Sequence, residues 1–493
     1  IEEILQTGSL KYHRELLERI PRGVLRMLDL PGLGPRTARI IYEHLGITNL
    51  DDLLEAAKAR KIRELPGLGA KTEYNIKKGM EMLESIGESV TLGTVLPIAR
   101  DFCAFLNGGE GIEMAELVGS IRRRKPVVHD IDVLVASDDP EMVRERVARY
   151  RRLKALDETG DGVIRGRISL GFEFEVIVVS PSDFPMALLL ATGSKEHRKI
   201  ILSHMQEAGV TSGRSEAEIY EKLGMKWIPP ELRENRGEIE QAAGQKLPVL
   251  VNQSEIKGDL HIHTDWTDGA HSLEQMVEQA RSMGYSYIAV TDHSQSLKIS
   301  RGLDEKRLRD QLRLIARMNE QMTDFRILSG IEVDIMRDGT LDFPDEVLEQ
   351  LDVVVASIHS AFHLSAEEQT HRIVSAIENP NVDIIGHLTG RLLNRRAGYQ
   401  VDIDLVIRAA SRRGTILEIN AHPDRLDISE EVAFQARKEG VKVAINSDAH
   451  QAGDMLLIEY GVYNARRGWL EARDVVNTWP LERLLQYLEN KPG

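Results

Sequence analysis

The chain has 493 residues and a formal net charge of −15 at pH 7. This length exceeds that of one compact core, so we expect several domains, and the acidic balance disfavours a protein that coats nucleic acid nonspecifically. No apolar stretch is long enough to cross a bilayer, so we expect no membrane association. The single cysteine, Cys103, excludes a disulfide framework and favours a reducing cytoplasm.

Residues 1–90 have a helical pattern and contain an internal repeat, LPGLGPRTA (30–38) and LPGLGAKTE (65–73). A glycine loop that opens a helix directs free backbone N–H groups at an anion, and each copy adds a basic residue there. The alternative is a helix connection whose glycines only permit the tight turn. The repeat resembles a tandem helix-hairpin-helix, which binds DNA phosphates without reading bases. The candidate DNA-binding residues are Gly32, Gly34, Arg36, Gly67, Gly69 and Lys71.

Residues 91–228 change to strand patterns, such as HDIDVLVAS (129–137) and FEFEVIVVS (172–180). Asp130 and Asp132 lie on the same face of a strand, where two carboxylates repel each other unless a cation bridges them. A solvated outer face could also produce this pattern. The upstream Gly119–Ser120 turn and Arg122–Arg124 suit a triphosphate beside two Mg²⁺ ions, which favours a catalytic site.

Residues 229–256 carry proline pairs and charges with little periodicity, and we interpret them as a linker. From Lys257 onward, seven short apolar runs end in polar side chains and predict the strands of a parallel βα repeat. The carboxyl ends of such strands meet at one mouth, so their imidazoles and carboxylates predict a metal-dependent hydrolase. The candidate ligands are His261, His263, Asp268, His293, Glu332, His359, His387, Asp448 and His450. The alternative, that each histidine only satisfies a local hydrogen bond, explains one strand end better than a whole series.

The order of these motifs, with T-G-S-K at 192–195 between the paired aspartates and the histidines, resembles bacterial and archaeal family X DNA polymerases with a C-terminal PHP domain. The resemblance implies a multi-domain α+β and α/β protein. Its parts are a helix-hairpin-helix region (1–90), a nucleotidyltransferase palm with thumb (91–228), the linker (229–256) and a distorted (β/α)7 PHP barrel (257–493). It also implies that an N-terminal piece is missing, with LQTGSLKYHREL (5–16) as the tail of a small domain.

The resemblance assigns roles to the palm residues. Ser120 and Arg123, beside Gly119, match positions that hold the incoming triphosphate, and Gly193 and Ser194 match the turn along the nucleotide sugar. Asp130 and Asp132 match metal-binding aspartates, and Glu175 matches the carboxylate that deprotonates the primer 3′-hydroxyl. Three departures concern this site: Glu175 replaces an aspartate, Leu190–Ala191 replaces Tyr-Phe, and His129 replaces a glycine.

The resemblance implies a DNA repair enzyme that fills gaps with dNTPs in the palm and trims 3′ ends of DNA in the barrel. It implies two Mg²⁺ or Mn²⁺ ions in the palm and two or three Mn²⁺ or Zn²⁺ ions in the barrel, with Glu332 able to bridge two of them. Arg391 is a candidate phosphate clamp, with a structural ion pair as its alternative. We expect a cytoplasmic, nucleoid-associated monomer. The alternatives are a 3′-end nuclease or phosphatase whose palm has lost polymerase activity, and a small-molecule phosphatase of the histidinol-phosphate type.

Overall fold

The computed structural model describes residues 24, 27, 33–69, 72–74, 76–77, 89–157, 160, 162–168 and 171–491. The chain divides into two compact units. One comprises Ile1–Val90 and Asn394–Ala397, and the other comprises Thr91–Leu393 and Gly398–Gly493. The predicted tail at 5–16 and two predicted DNA-binding residues, Gly32 and Lys71, lie outside the described residues.

The first unit contains helices α1 (Pro35–Leu45) and α2 (Leu50–Lys58) and the 3-10 turn Ile62–Glu64. Helix α1 begins directly after Gly34 with a proline in its first turn, where the missing N–H leaves no hydrogen bond unmade. It ends at Gly46, whose φ of 64° is left-handed.

The predicted apolar face of α1 is confirmed. Ala38 and Ile41 are buried, and Tyr42 and Leu45 pack against the same core. This core also takes Leu53 from α2, so the two helices stabilise each other by burying one shared apolar surface.

The strands up to the end of the predicted palm are β1 (Val90–Thr91), β2 (Met114–Leu117), β3 (Val127–Val128), β4 (Ile131–Ala136), β5 (Leu153–Leu156), β6 (Val163–Ile168) and β7 (Glu173–Val179). Five of them form the palm sheet, in the order β2-β4-β7-β6-β5. The pair β4 and β7 is parallel and the other pairs are antiparallel. The helices of the palm are α3 (Leu92–Asn107), α4 (Gly119–Arg122) and α5 (Pro140–Ala148). In β4, Ile131 and Val133 are buried as predicted, which leaves Asp132 on the opposite face.

The thumb follows as a small helical layer. It contains α6 (Phe184–Thr192), α7 (Lys195–Ala208), α8 (Glu216–Lys222) and α9 (Glu238–Ala243), with 3-10 turns at Pro230–Leu232 and Gln253–Glu255. The stretch 229–256, which the sequence indicates as a linker, is packed rather than extended in solvent. Leu232, Arg233 and Ile239 are buried in it, because the stretch shares an apolar core with α7, α8 and Trp469.

The C-terminal part is a parallel sheet of seven strands in sequential order, which curves into a nearly closed barrel. The strands are β8 (Gly258–Ile262), β9 (Tyr287–Val290), β10 (Arg326–Asp334), β11 (Val353–Ser357), β12 (Ile384–Ile385), β13 (Ile416–Asn420) and β14 (Val443–Asn446). The first and last strands approach each other, since the Leu260 N–H donates to Asn446 Oδ1 at 3.1 Å. The His263 N–H likewise donates to the carbonyl of Ala449 at 2.9 Å.

Helices cover the outside of the barrel and close its amino end. They are α10 (Leu273–Ser282), α11 (Glu305–Glu320), α12 (Asp345–Leu348), α13 (Ala366–Glu378), α14 (Ile403–Arg413), α15 (Glu430–Lys438), α16 (Ile458–Arg467) and α17 (Leu481–Glu489). Trp479 and Leu484 pack against the inward side chains of the strands, among them Leu260 and Ile416. The interior of the barrel is therefore apolar and closed at the amino end. We find no candidate for a bilayer-spanning segment among the helices of the described ranges.

The contact between β8 and β9 predicts that Gly258→Ala destabilises the protein. A Cβ at Gly258 would lie 2.3 Å from the Tyr287 ring and 2.4 Å from the Tyr287 carbonyl oxygen, so the strands would have to separate. We expect a loss of about 2 kcal/mol in the free energy of unfolding, measured by urea denaturation. Gly453→Ala is the matched control, because nothing lies within 4 Å of its added Cβ. Equal midpoints for the two variants would contradict this account.

Candidate metal centre and carboxylate cluster

One buried carboxylate, Glu332 at the carboxyl end of the barrel, lies among imidazole rings. Glu332 is only 1% exposed, and its oxygens lie within 3.6 Å of ring nitrogens from five histidines. The five are His261, His263, His293, His359 and His387. The closest approach is 2.7 Å, to His293 Nδ1. The barrel thus brings side chains from β8, β10 and the residues that follow β9, β11 and β12 to one point.

All nine predicted ligands converge at this mouth. Eight of them fall into three groups, and within each group the ligand atoms all lie within 4.8 Å of one another. The groups are His263, Asp268, His293 and His450; His261, His263 and Asp448; and His293, Glu332 and His359. The ninth residue, His387, places Nε2 3.0 Å from Glu332 Oε1. Because adjacent groups share a histidine, the geometry suits a cluster of neighbouring cations rather than isolated ions.

The hydrogen bonding of these residues fits a metal. His261 Nε2 and His263 Nδ1 are buried and make no hydrogen bond. Leaving such groups unpaired costs free energy that coordination to a cation would recover. A mixed set of imidazole and carboxylate donors is typical of Mn²⁺ or Zn²⁺ sites.

The backbone at two of these residues is also strained. His387 and Asp448 adopt left-handed φ angles of 24° and 52°. Such conformations are rare for residues with a side chain and are found where the surrounding structure holds them for a function.

The pKa values of the histidines separate a neutral residue from the charged ones. Burial, together with the charges of His293 and His450, lowers the pKa of His263 to about 3, so this ring is neutral and ready to ligate. Burial also disfavours the charged form of His293, but Glu332 and Asp268 outweigh it and raise its pKa to about 10. His359 and His450 rise to about 9 against the effect of burial, chiefly because of Glu332 for His359 and Asp268 for His450. Without metal, the centre therefore retains protons at neutral pH.

An outer layer of acids orients the imidazoles. His261 Nδ1 donates to Glu418 Oε1 at 2.7 Å, and His359 Nδ1 donates to Asp334 Oδ1 at 2.8 Å. Each bond leaves Nε2 directed at Glu332, because the two ring nitrogens point in opposite directions. We did not predict these acids from the sequence, although Glu418 stands inside the apolar run TILEIN and Asp334 follows Glu332 by two residues.

The rim of the centre opens on one side, where Asp268 is exposed and His450 is half-buried. Arg391, the candidate phosphate clamp, donates from Nε to the Arg425 carbonyl at 2.9 Å and from Nη2 to the Leu426 carbonyl. Arg425 Nε itself lies 4.0 Å from Asp448 Oδ2. In this structure Arg391 supports the loop that carries Arg425, and its contact with a phosphate stays a prediction.

A second acidic cluster lies on the palm sheet. Asp132 in β4 pairs in register with Glu175 in β7, and Asp130 directly precedes β4. Burial, reinforced by the charges of Asp130 and Glu175, raises the pKa of Asp132 to about 7 against the effect of Arg123. Gly119 leaves room for this carboxylate, since a Cβ there would lie 2.0 Å from Asp132 Oδ2. Such mutual repulsion is typical of a cation site.

Two residues of the palm already have protein partners. Glu175 Oε2 accepts a hydrogen bond from Arg165 Nε at 2.6 Å. Arg123 donates from Nε to Glu234 Oε1 at 3.0 Å and from Nη1 to the Thr192 carbonyl at 2.7 Å. The guanidinium of Arg123 is therefore held at two points beside Asp132.

The serines near this cluster lie at helix starts. Ser120 is half-buried in the first turn of α4, and the Ser194 hydroxyl accepts a hydrogen bond from the His197 N–H at the start of α7. Gly193 and Ser194 form the turn between α6 and α7, beside Thr192. The predicted triphosphate and sugar contacts of these residues stay predictions.

In the helical unit, the glycine loops are on the surface. Gly34, Gly67, Gly69 and the side chain of Arg36 are exposed, and Gly67 has a left-handed φ of 75°. Exposed loop N–H groups beside a cation suit phosphate contact, and the DNA-binding role of these residues stays a prediction.

Three protein-family models match the chain. They are the SAM-like helix-hairpin-helix tandem at 24–81, the DNA polymerase beta thumb at 201–234 and the PHP domain at 259–422. The chain is also 37% identical over 508 residues to the DNA polymerase/3′-5′ exonuclease PolX of Bacillus subtilis strain 168, which covers 99% of the chain and 88% of that relative.

Shorter relatives match about the C-terminal half of the chain. A probable phosphatase of Thermoanaerobacter sp. strain X514 is 32% identical over 244 residues, covering 47% of the chain and 94% of the relative. A probable phosphatase of Caldanaerobacter subterraneus subsp. tengcongensis is 31% identical over 246 residues, covering 47% of the chain and 91% of the relative.

The outer acids predict that Glu418→Gln weakens metal binding. A glutamine holds the His261 ring without a negative charge, so the ring becomes a poorer donor. We expect about a 10- to 100-fold loss of Mn²⁺ affinity, measured by competition with a chelator. Glu346→Gln, at an exposed position on α12, is the control and should bind as the parent does. Unchanged affinity in Glu418→Gln would refute an orienting role.

The raised pKa values predict that metal binding releases protons. The charged imidazoles of His293, His359 and His450 stabilise the metal-free protein below their unfolded pKa, and this contribution is lost as pH rises through about 9 to about 10. A cation must displace these protons, so its apparent affinity should increase from about pH 7 to about pH 9. Calorimetry in buffers of different ionisation enthalpy measures the release. Metal binding without proton release would contradict the protonation states described above.

Proposed function

The chain belongs to the PolX family of DNA polymerase/3′-5′ exonucleases, and from this we propose that it fills short DNA gaps with its palm and trims 3′ ends with its barrel. The observation that carries the nuclease proposal is the convergence of five histidines on buried Glu332 at the open end of the barrel. The matching models for the helix-hairpin-helix tandem and the polymerase beta thumb support a DNA substrate for both activities.

We assign the barrel reaction to phosphodiester hydrolysis. The nine residues at the mouth would hold two or three Mn²⁺ or Zn²⁺ ions, which would supply a nucleophile at neutral pH and neutralise charge on the phosphate. The protein's part is to keep His263 neutral, to aim His261 and His359 through Glu418 and Asp334, and to leave the Asp268 side open to a DNA end.

We assign the palm reaction to nucleotidyl transfer. Asp130 and Asp132 would hold two Mg²⁺ or Mn²⁺ ions, which activate the primer hydroxyl and stabilise charge on the transferred phosphoryl group. Arg123 and Ser120 would bind the triphosphate of a dNTP, and the turn at Gly193–Ser194 would lie along its sugar. Glu175 would accept the proton of the primer 3′-hydroxyl. For this, Arg165 must first release the Glu175 carboxylate.

The contact between Arg165 and Glu175 also favours a second candidate function. The hydrogen bond from Arg165 Nε, at 2.6 Å, already occupies Glu175 Oε2, so this oxygen is engaged by a protein partner instead of a primer hydroxyl. A palm that keeps this pair would bind DNA without extending it. The protein would then be a 3′-end nuclease or phosphatase.

The division of labour predicts opposite defects in two variants. Asp448→Ala should lower release of nucleotides from a labelled 3′ DNA end by about 100-fold or more, because it removes a ligand of the barrel. It should still extend a gapped primer–template when dNTPs and Mn²⁺ are added. Asp132→Asn should stop extension and leave the nuclease rate unchanged.

The same assays discriminate between the candidate functions. Absence of extension by Asp448→Ala at every dNTP concentration would exclude the polymerase and leave the 3′-end nuclease or phosphatase. Intact DNA ends, together with rapid hydrolysis of a small phosphate ester by the parent protein, would indicate a small-molecule phosphatase instead.

A further inference from the structure

A buried arginine of the barrel, Arg467 in α16, makes contact with the palm and thumb. It is 1% exposed, and all three nitrogens of its guanidinium donate hydrogen bonds. Within the barrel, Nε and Nη2 donate to Glu430 Oε1 at 3.2 and 2.9 Å. Across the interface, Nη1 donates to Glu234 Oε1 at 3.0 Å and to the Arg123 carbonyl at 2.7 Å.

Glu234 connects this arginine to the palm. Its Oε1 accepts hydrogen bonds from both Arg467 Nη1 and Arg123 Nε, each at 3.0 Å. The side chains of Glu234 and Arg123 are each 11% exposed, so water competes little for this contact. Arg123 is thus fixed by Glu234 on one side and by the Thr192 carbonyl on the other.

Burying the charged groups of Arg467, Glu234 and Arg123 together is unfavourable in free energy, and it fixes their geometry. Buried ion pairs contribute little net stability, because removing both charges from water offsets their attraction. Several fixed partners do, however, hold a planar guanidinium in one orientation. Arg467 contacts both the main chain of Arg123 and the acid that holds its side chain, so it constrains the position and the direction of Arg123 together.

We propose that Arg467 is a positioning residue for the nucleotide pocket of the palm, acting through Glu234 to hold Arg123 where it receives the triphosphate of a dNTP. The barrel then completes the binding site for the polymerase substrate in addition to carrying its own reaction. This inference rests on the proposed function, since Arg123 receives its role from the nucleotidyl-transfer assignment.

The neighbouring residue provides a matched comparison. Arg466 also crosses from the barrel to the thumb, where Nε donates to Glu231 Oε1 at 2.7 Å. Within the described part of the chain its hydrogen bonds go to Glu231, Val251 and Asn252, and none goes to Arg123 or Glu234. A loss that reflects only weaker docking of the barrel against the thumb should therefore appear in both arginine variants, whereas a loss of positioning should appear at Arg467 alone.

The test compares Arg467→Met, Arg467→Lys and Arg466→Met in the full chain, each in the Asp448→Ala background so that primers stay intact. Single-nucleotide gap filling gives kcat and KM for the dNTP, and equilibrium titration with a non-hydrolysable dNTP and Mg²⁺ gives its Kd. We expect Arg467→Met to raise KM and Kd about tenfold with a smaller change in kcat, because ground-state binding is lost. Arg467→Lys should fall between, since its ammonium retains a donor for Glu234. Arg466→Met should change either constant less than about twofold.

Several outcomes would overturn the inference. Equal effects of Arg466→Met and Arg467→Met would reduce Arg467 to a docking contact, and an unchanged KM in Arg467→Met would remove its role. If Arg467→Met unfolds, Glu234→Leu removes the oxygen that accepts from both Arg467 and Arg123. It should raise KM and Kd in the same direction, and failure to do so counts against the inference. If the Asp448→Ala protein neither extends a primer nor binds the dNTP, the proposed polymerase function is overturned as well. If it extends primers but Arg467→Met leaves KM and Kd for the dNTP unchanged, only this inference is overturned.

Discussion

A buried glutamate among five histidines is tolerated in this protein only because a nearly closed parallel barrel imposes it. His261 and His263 belong to β8 and its end, and the other three imidazoles follow β9, β11 and β12. The curvature of the sheet directs all five at Glu332. The outer acids, Glu418 and Asp334, offset part of the cost of desolvating so many polar groups, and cations of the kind that the donor set suits would offset more. At the opposite end of the barrel, Trp479 and Leu484 bury apolar surface. This burial stabilises the fold through the hydrophobic effect, which the polar centre contributes little to.

The palm uses the same physical principle with fewer groups. Asp130, Asp132 and Glu175 meet because β4 and β7 are parallel neighbours in register, and their mutual repulsion raises the pKa of Asp132. Here the compensating charges come from arginines, Arg165 for Glu175 and Arg123 for Asp132. The palm, thumb and barrel belong to one compact unit, joined by buried ion pairs such as Arg467 with Glu234. We therefore regard the two reactions as activities of one folded body.

Much of both sites could be predicted because the relevant residues stand at the ends of strongly patterned strands. The nine barrel residues and the Asp130–Asp132 pair were found in this way, and the structure brings each set together. Glu418 was missed because it stands inside an apolar run, where a single acid gives no signal until its partner His261 is known. The sequence of 229–256 indicates a linker because it carries proline pairs and charges with little periodicity, yet Leu232 and Ile239 pack against distant helices.

The sequence by itself determined which chemistries the chain carries. These chemistries depend on local features, namely the alternating and helical patterns, the glycine-loop repeat and the polar strand ends. Local features involve residues close together in sequence, so the sequence alone predicts them. The tertiary structure alone decided the partners of each charged group. It directed Arg391 to main-chain carbonyls, joined Arg165 to Glu175, and placed Arg467 of the barrel against Arg123 of the palm. The physical reason is that hydrogen bonds and ion pairs depend on distances of a few ångströms between residues that can be hundreds of positions apart, and sequence patterns do not encode such distances.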